Sequence, residues 1–211
     1  MKRLLFSLLV ASALWFVMFA PPTAPHLNFW WAMSGSACVL LSLAWGGRRD
    51  AAVGPELFPR SLRQAFASLV LGVAIAVVLW GVFWVGDKLS SFMFDFARPQ
   101  VDLIYGMKSD TPPFVIALLL LLLIGPAEEL FWRAYVQSTL SRHWGTDLGF
   151  LATTAVYTLV HLPSLNFMLM MAALACGLCW GLLYRLWPQH LAAIVVSHAL
   201  WDAAAFVWFP F

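Results

Sequence analysis

The chain has 211 residues, of which 63% are hydrophobic and 10% are charged, with a formal net charge of +2. A soluble domain of this size needs more charge to cover its surface, so water is not the main solvent of this chain. The small net charge, without a basic run interleaved with aromatic residues, argues against nucleic-acid binding. The 12 Trp residues fit a membrane protein, since indole rings favour the headgroup level.

Apolar stretches that are long enough to cross a hydrocarbon layer of ~30 Å recur along the whole chain. They predict an all-α fold, a polytopic transmembrane helical bundle of about seven helices, with no room for a soluble domain. The predicted spans are Leu4–Ala20, Leu27–Trp45, Phe66–Gly86, Pro113–Gly125 running on into a longer helix, Leu148–Leu162, Asn166–Leu186 and Leu191–Phe209.

The distribution of Lys and Arg predicts the orientation, because cytoplasmic segments are enriched in both. With the N-terminus inside, nine of the 12 Lys and Arg residues fall on inner segments, and Lys88, Arg98 and Lys108 fall on outer ones. We therefore predict that the N-terminus lies inside and the C-terminus outside. The apolar run after Met1 is long for a cleavable signal peptide, which favours a first membrane helix.

Two stretches interrupt the hydrophobic pattern. Gly46–Gln64 is typical of an inner loop with a short interfacial helix, and Asp87–Thr111 of an outer amphipathic segment on the bilayer. The second stretch either covers a substrate entrance or serves as a solvated connector. Cys176 and Cys179 form a Cys-x-x-Cys within an apolar helix without a neighbouring cation, which predicts inert buried thiols rather than a redox site.

A short list of ionisable residues remains at membrane depth, where such groups are costly and are by default a functional hypothesis. The list is Glu128, Glu129, Arg133, His161, His198 and Asp202. Glu129 and Arg133 are i and i+4 and can pair, whereas Glu128 points roughly 100° away and remains free. An interfacial charged surface near the inner end of the helix is the alternative interpretation of this cluster.

Histidines occur on two later helices. Tyr157 and His161 share a helical face, and His198 and Asp202 are again i and i+4, able to grip one metal ion, water or substrate oxygen. Each pair taken alone also fits a structural role. Together with the glutamates they supply a general base, a second proton-handling group and a polarising group.

The helix lengths predict different depths in the membrane for Glu128 and His161. At ~1.5 Å rise per residue, Glu128 comes out about two-thirds of the way across from the outer side, and His161 nearer the outer side, a difference of roughly 10 Å. A helix tilt, a kink at Pro126 or a re-entrant water cavity would close the gap.

The ordered motifs Glu128-Glu129-x-x-x-Arg133, Tyr157-x-x-x-His161 and His198-x-x-x-Asp202 resemble those of the CPBP family. That family includes the CAAX prenyl endopeptidases of the Rce1 type and the bacterial Abi-type membrane proteins. The resemblance covers roughly Thr111 to Phe211, so we divide one integral membrane domain into N-terminal membrane helices with interfacial segments, 1–110, and a catalytic helical core, 111–211. Two departures are Tyr157, where the family often has Phe, and Asp202, where eukaryote-like and archaeal CAAX proteases have Asn.

The resemblance implies an intramembrane endopeptidase that cleaves near the C-terminus of membrane-associated proteins or peptides. Glu128 would be the general base that activates a water with His161, next to Glu129, and His198 would stabilise the oxyanion with Asp202. Arg133 and Tyr157 would support the site. Because an ionised Asp202 cannot donate a hydrogen bond, it would be protonated, orient His198 or bind a metal.

The metal-free version is favoured, since the chain lacks a His-Glu-x-x-His sequence. In a zinc-dependent version the ligands would come from Glu128, His161, His198 and Asp202. A non-catalytic membrane immunity or scaffold protein and a small proton-coupled transporter are the alternatives from other classes.

The expected partners are the lipid bilayer and a peptide or protein with a membrane-tethered or hydrophobic C-terminal region. The short chain resembles the bacterial branch of the family, which implies the bacterial inner membrane. There, bacteriocin-type peptides or the C-terminal sorting tails of secreted proteins would be substrates.

Overall fold

The computed structural model describes residues 1–47, 59–108 and 111–211, and every regular element in these ranges is a helix. This confirms the all-α polytopic fold expected from the hydropathy pattern. In chain order the helices are α1 Lys2–Phe19, α2 Phe29–Gly47, α3 Leu62–Met93, α4 Ala97–Gly106, α5 Pro113–Trp144, α6 Thr146–Leu159, α7 Phe167–Leu186 and α8 Leu191–Ala203.

Within the described ranges, 6 helical stretches are long and apolar enough to cross a membrane. They are α1, α2, α3, α5, α7 and the stretch Pro188–Trp208 that contains α8. The remaining predicted span, Leu148–Leu162, falls mainly on α6, whose 14 residues extend about 21 Å, less than the ~30 Å hydrocarbon core. A 3₁₀ turn at Leu162–Ser164 leads from there towards α7.

The ends of α3 differ from the predicted boundaries. Most of the predicted inner loop and interfacial helix, Gly46–Gln64, lies outside the described residues. Its last part begins α3, where the Ser61 hydroxyl caps the helix by accepting a hydrogen bond from the Gln64 backbone N–H. At its other end, α3 continues to Met93, so it takes in the beginning of the predicted amphipathic segment.

Helices α5 and α8 form the centre of the bundle. In the most apolar 18-residue window of each stretch, 50% of the residues are buried in α5 and 56% in the stretch containing α8, but only 17% in α3. Gly125 of α5 packs directly on the α8 backbone, because a Cβ atom there would overlap Ala199 Cα. The polar residues singled out from the sequence on these two helices therefore sit on the elements that present the least surface to lipid.

Helix α5 is irregular around Pro126, as the missing proline N–H leads one to expect. The backbone is π-helical at Leu120–Ile124 and at Leu130–Gln137, and α-helical at Gly125–Glu129 between them. The Gly125 N–H donates to the Leu120 carbonyl oxygen, five residues earlier. The two π-helical segments accommodate the missing N–H of Pro126 and orient the two glutamates that lie between them.

The expected difference in depth between Glu128 and His161 is resolved by the length of α5. The helix runs to Trp144, and Gly145, at a φ of 87° that favours glycine, turns the chain into the antiparallel α6. Measured from that turn at 1.5 Å per residue, Glu128 lies about 24 Å away along α5 and His161 about 22 Å away along α6. The two residues are therefore level.

Helix α4 lies across the ends of two later helices. The Asn166 side-chain N–H, just before α7, donates to the Gln100 carbonyl oxygen of α4 at 2.8 Å. The Tyr105 hydroxyl donates to the Ala205 carbonyl oxygen, just after α8, at 3.2 Å. Helix α4, which lies within the predicted amphipathic segment, thus connects the start of α7 with the end of α8.

The contact between α3 and α8 gives a test of the packing. A Cβ atom on Gly72 would overlap the Val196 side chain and the Ala193 carbonyl oxygen, whereas a Cβ atom on Gly81 of the same helix meets nothing within 4 Å. We expect Gly72→Ala to lower the free energy of unfolding by about 1–3 kcal/mol through overpacking. Gly81→Ala is the matched control. Thermal unfolding in detergent measures both, and equal midpoints for the two variants would contradict the packing.

Candidate active site

A cavity of about 580 Å³ lies between the helices, next to the irregular part of α5. Glu128, His161, His198 and Asp202 all line it, together with Tyr157. The rest of its wall is mostly apolar and includes Trp15, Phe83, Ile124, Cys176, Trp201 and Phe206. The structure thus brings together four of the five side chains that the sequence analysis singled out as catalytic.

Glu128 and Glu129 have different surroundings, as their angular separation on α5 predicts. The Glu128 carboxylate lies on the cavity wall, and its Oε2 accepts a hydrogen bond from the Tyr157 hydroxyl at 3.1 Å. One donor leaves acceptor positions on this carboxylate for a water molecule or a substrate group. Glu129 is fully buried and is not part of the cavity wall.

The fifth predicted catalytic residue, Glu129, is held by an arginine and a histidine side chain. Its Oε1 lies 2.9 Å from Arg133 Nη1 and 2.6 Å from His198 Nδ1. The same guanidinium donates through Nη2 to the Cys176 carbonyl oxygen at 3.3 Å, which joins α5 to α7. The ion pair expected from the i and i+4 spacing is present, and it connects Glu129 to His198 of α8.

His198 is fixed on three sides. Its Nε2 lies 3.4 Å from Asp202 Oδ2, its Nδ1 faces Glu129, and its ring stacks on Trp180 with a centroid separation of 3.8 Å. A protonated imidazolium ring carries an N–H on each nitrogen and so presents one N–H to each of the two carboxylates. Arg133, Glu129, His198 and Asp202 then form an alternating series of two positive and two negative charges, which lowers the cost of burying each of them.

His161 has both ring nitrogens in hydrogen bonds. Nδ1 lies 2.8 Å from the Tyr157 carbonyl oxygen, and Nε2 lies 3.2 Å from the indole nitrogen of Trp15. A carbonyl only accepts and an indole N–H only donates, so the proton of the neutral ring is on Nδ1 and the lone pair on Nε2. The His161 ring packs edge-on against the Tyr157 ring, with the two ring centroids 5.3 Å apart.

The donor set does not fit a zinc ion in this arrangement. Among the residues that the structure describes, no group of three or more His, Cys, Asp or Glu side chains is placed to hold a metal ion. The Nε2 lone pair of His161 accepts from Trp15, and both nitrogens of His198 face carboxylates. A catalytic zinc site needs three such side chains directed at one point.

Several residues of the site carried no signal in the sequence. Trp15 and Trp180, which contact His161 and His198, are two of 12 Trp residues without a distinguishing motif. The sequence marks Cys176 only as part of a Cys-x-x-Cys, yet its carbonyl oxygen accepts a hydrogen bond from Arg133. Both Cys176, which is buried, and Cys179 are free thiols. Contacts between helices far apart in the chain cannot be seen in a helical period.

The buried charge series predicts a large effect on stability. Replacing Arg133, whose side chain is 2% exposed, by Met leaves the Glu129 carboxylate without its arginine. We expect Arg133→Met to lower the free energy of unfolding by about 3–5 kcal/mol. Arg185→Met, which removes the partner of the 70%-exposed Asp147 side chain, is the control and should cost less than about 1 kcal/mol. Unfolding of the detergent-solubilised protein by SDS measures both, and similar losses would contradict the role given to the buried pair.

Comparison with known proteins gives one match. Residues 110–204 match the model of the Rce1-like family, described as type II CAAX prenyl endopeptidase Rce1-like. The matched range covers slightly less than half of the chain and contains all three motifs, from Glu128 to Asp202. The chain has no significant match among curated proteins or among solved structures. Residues 110–204 of this integral membrane protein are therefore similar to the Rce1-like CAAX prenyl endopeptidases, a family of proteases.

Proposed function

We propose that the protein is an intramembrane endopeptidase in which Glu128 activates the attacking water. The observation that carries the proposal is the single cavity lined by Glu128, His161, His198 and Asp202 inside a bundle of apolar helices. Ionisable groups at such depth are costly, and their convergence on one cavity is the arrangement that hydrolysis requires. The match to a protease family agrees with this chemistry.

The hydrolytic step follows from the positions of these groups. The Glu128 carboxylate takes a proton from water, the water oxygen bonds to the carbonyl carbon of the scissile amide, and the C=O π electrons move to the carbonyl oxygen. The C=O double bond then re-forms as the C–N bond breaks, the leaving nitrogen takes the proton from Glu128, and the products are a new carboxyl group and an amine. Tyr157 donates to Glu128 and holds the carboxylate against the cavity wall. In this proposal the Nε2 lone pair of His161 accepts a hydrogen bond from the same water.

In this proposal, protonated His198 places a positive charge near the carbonyl oxygen, on which negative charge develops during the reaction. Glu129, itself paired with Arg133, holds His198 from the side away from the cavity wall. Asp202 lies on the wall at 3.4 Å from His198 Nε2. Of the three roles that the sequence leaves open for Asp202, this contact supports the second, a carboxylate that orients His198. A preorganised charge of this kind stabilises the oxyanion that develops in the transition state.

The side chains that line the cavity favour a substrate with an apolar segment. The cavity wall carries aromatic side chains from the 1–110 region, including Trp15, Phe19, Phe29, Trp30 and Phe83, whereas the predicted catalytic groups on it come from 111–211. We propose the same division of the chain as before, in which the first region shapes the cavity and the second does the chemistry. The substrate is a protein or peptide with a membrane-tethered or hydrophobic C-terminal region, and the N-terminus lies inside in a bacterial inner membrane.

Glu128→Gln tests the mechanism directly. Glutamine cannot take the proton from water, so we expect the cleavage rate to fall by at least about 100-fold. The purified protein in liposomes would receive two peptides of one apolar C-terminal sequence, one with a farnesylated CAAX cysteine and one without prenyl. Mass spectrometry of both fragments gives the rates and the cleavage position.

Asp147→Asn, at an exposed carboxylate, is the control for Glu128→Gln and should cleave at close to the wild-type rate. We also expect activity to survive exhaustive chelation. Cleavage that persists in Glu128→Gln, a wild type that cleaves neither peptide, or activity lost to chelator and restored by zinc would each refute the proposed mechanism. A non-catalytic immunity or scaffold protein would show the second of these outcomes.

Asp202→Asn tests the part given to the fourth polar position. Asparagine has a similar shape, accepts from His198 through its oxygen and can donate to the oxyanion through its amide. We expect Asp202→Asn to stay within about tenfold of the wild-type rate, and Asp202→Leu, which has no polar group, to lose about 100-fold or more. The same peptide assay measures both. Equal losses in the two variants would show that only a carboxylate serves at this position.

A further inference from the structure

Trp15 is a fully buried residue of α1, in a part of the chain that the family match does not reach. Its indole N–H donates to His161 Nε2 at 3.2 Å, and the two rings are in edge contact at 6.2 Å. Trp15 also lines the cavity that holds Glu128. The first membrane helix thus contacts one of the predicted catalytic groups directly.

The position of His161 in the chain explains why its ring needs such a contact. Helix α6 ends at Leu159, and His161 begins a 3₁₀ turn that leads to Leu165, which has a φ of 51°. Side chains beyond a helix end lose the support of the following helical turn. Nδ1 of the ring donates a hydrogen bond to the Tyr157 carbonyl oxygen, and Nε2 accepts one from the Trp15 indole N–H.

We propose that Trp15 is a positioning residue, which keeps the His161 ring in the tautomer with its lone pair on Nε2 and holds that lone pair at the cavity wall. This inference rests on the proposed function, in which the same lone pair accepts a hydrogen bond from the attacking water. During turnover the water O–H takes the place of the indole N–H, and no covalent bond changes at either ring. The indole holds the ring ready for that exchange and prevents the Nε2–H tautomer, which could only donate.

The chain offers a matched control for the indole N–H. Trp132 of α5 is also fully buried. Its ring centroid lies 6.4 Å from that of Trp15 and 5.3 Å from that of Tyr157. Its Nε1 has no hydrogen-bond partner among the described residues. Trp15→Phe and Trp132→Phe therefore remove the same atoms from neighbouring places, and only the first removes a hydrogen bond to His161.

The kinetic test compares these two variants in liposomes, with the peptide that the wild type cleaves faster. We expect Trp15→Phe to lower kcat about five- to tenfold, the equivalent of one neutral hydrogen bond, with KM little changed. Trp132→Phe should keep the wild-type kcat. Equal effects of the two variants on kcat, or a loss in Trp15→Phe that lies wholly in KM, would overturn the assignment.

A second measurement reports on the tautomer itself and needs no substrate. Nitrogen-15 NMR of the histidine-labelled protein in detergent micelles distinguishes a protonated from an unprotonated ring nitrogen, and the His161→Gln variant identifies the signals. The wild type and Trp132→Phe should show a protonated Nδ1 and a hydrogen-bonded, unprotonated Nε2. Trp15→Phe should show a shifted Nε2 signal and a detectable share of the other tautomer. An unchanged spectrum in Trp15→Phe would overturn the inference.

The outcomes separate the inference from the function on which it rests. If Glu128→Gln is inactive while Trp15→Phe matches Trp132→Phe in kcat and in its spectrum, the protease mechanism stands and the role of Trp15 fails. If Glu128→Gln retains full activity, the proposed mechanism fails, whatever Trp15→Phe shows.

Discussion

The arrangement of the bundle depends on the neutralisation of charge within lipid. Arg133, Glu129, His198 and Asp202 follow one another as positive, negative, positive and negative groups, and the first three of these side chains are at most 3% exposed. Any one of them alone would be too costly at this depth, since desolvation of a single ion exceeds what nearby dipoles return. The series therefore has to be assembled as a whole, which requires α5 and α8 to lie side by side.

The packing of α5 on α8 serves that requirement. Gly125 brings the two backbones into contact one turn before Glu129, and the carboxylate of Glu129 then reaches His198 across the interface. Trp180 of α7 covers the open face of the His198 ring, and its own indole N–H donates to the Ser197 hydroxyl at 3.0 Å. Three helices therefore determine the position of one imidazole ring, and little freedom remains for it to rotate.

Local spacing and composition accounted for the parts of the molecule that depend on a single helix. The count of apolar residues predicted the helical bundle, and the i and i+4 relation predicted that Glu129 pairs with Arg133 and that His198 faces Asp202. The predicted depth of His161 relative to Glu128 differs from the observed one, because the sequence indicated that α5 runs on past Gly125 but not that it ends at Trp144. Contacts such as Glu129 with His198 join distant parts of the chain, and a single sequence contains no record of them.

The short α6 has a consequence for the way this protein meets the bilayer. A helix of 14 residues is too short to cross the hydrocarbon core, so the connection at residues 160–166 has to pair its own main-chain groups. Three backbone N–H groups of this connection have local hydrogen-bond partners. The Ser164 N–H donates to the His161 carbonyl oxygen, the Leu165 N–H to the Leu162 carbonyl oxygen, and the Asn166 N–H to the Ser164 hydroxyl. Leu162 and Leu165 present their side chains outward. Topology mapping with water-soluble labels would therefore treat this loop as membrane-embedded, and would merge α6 and α7 into one apparent segment.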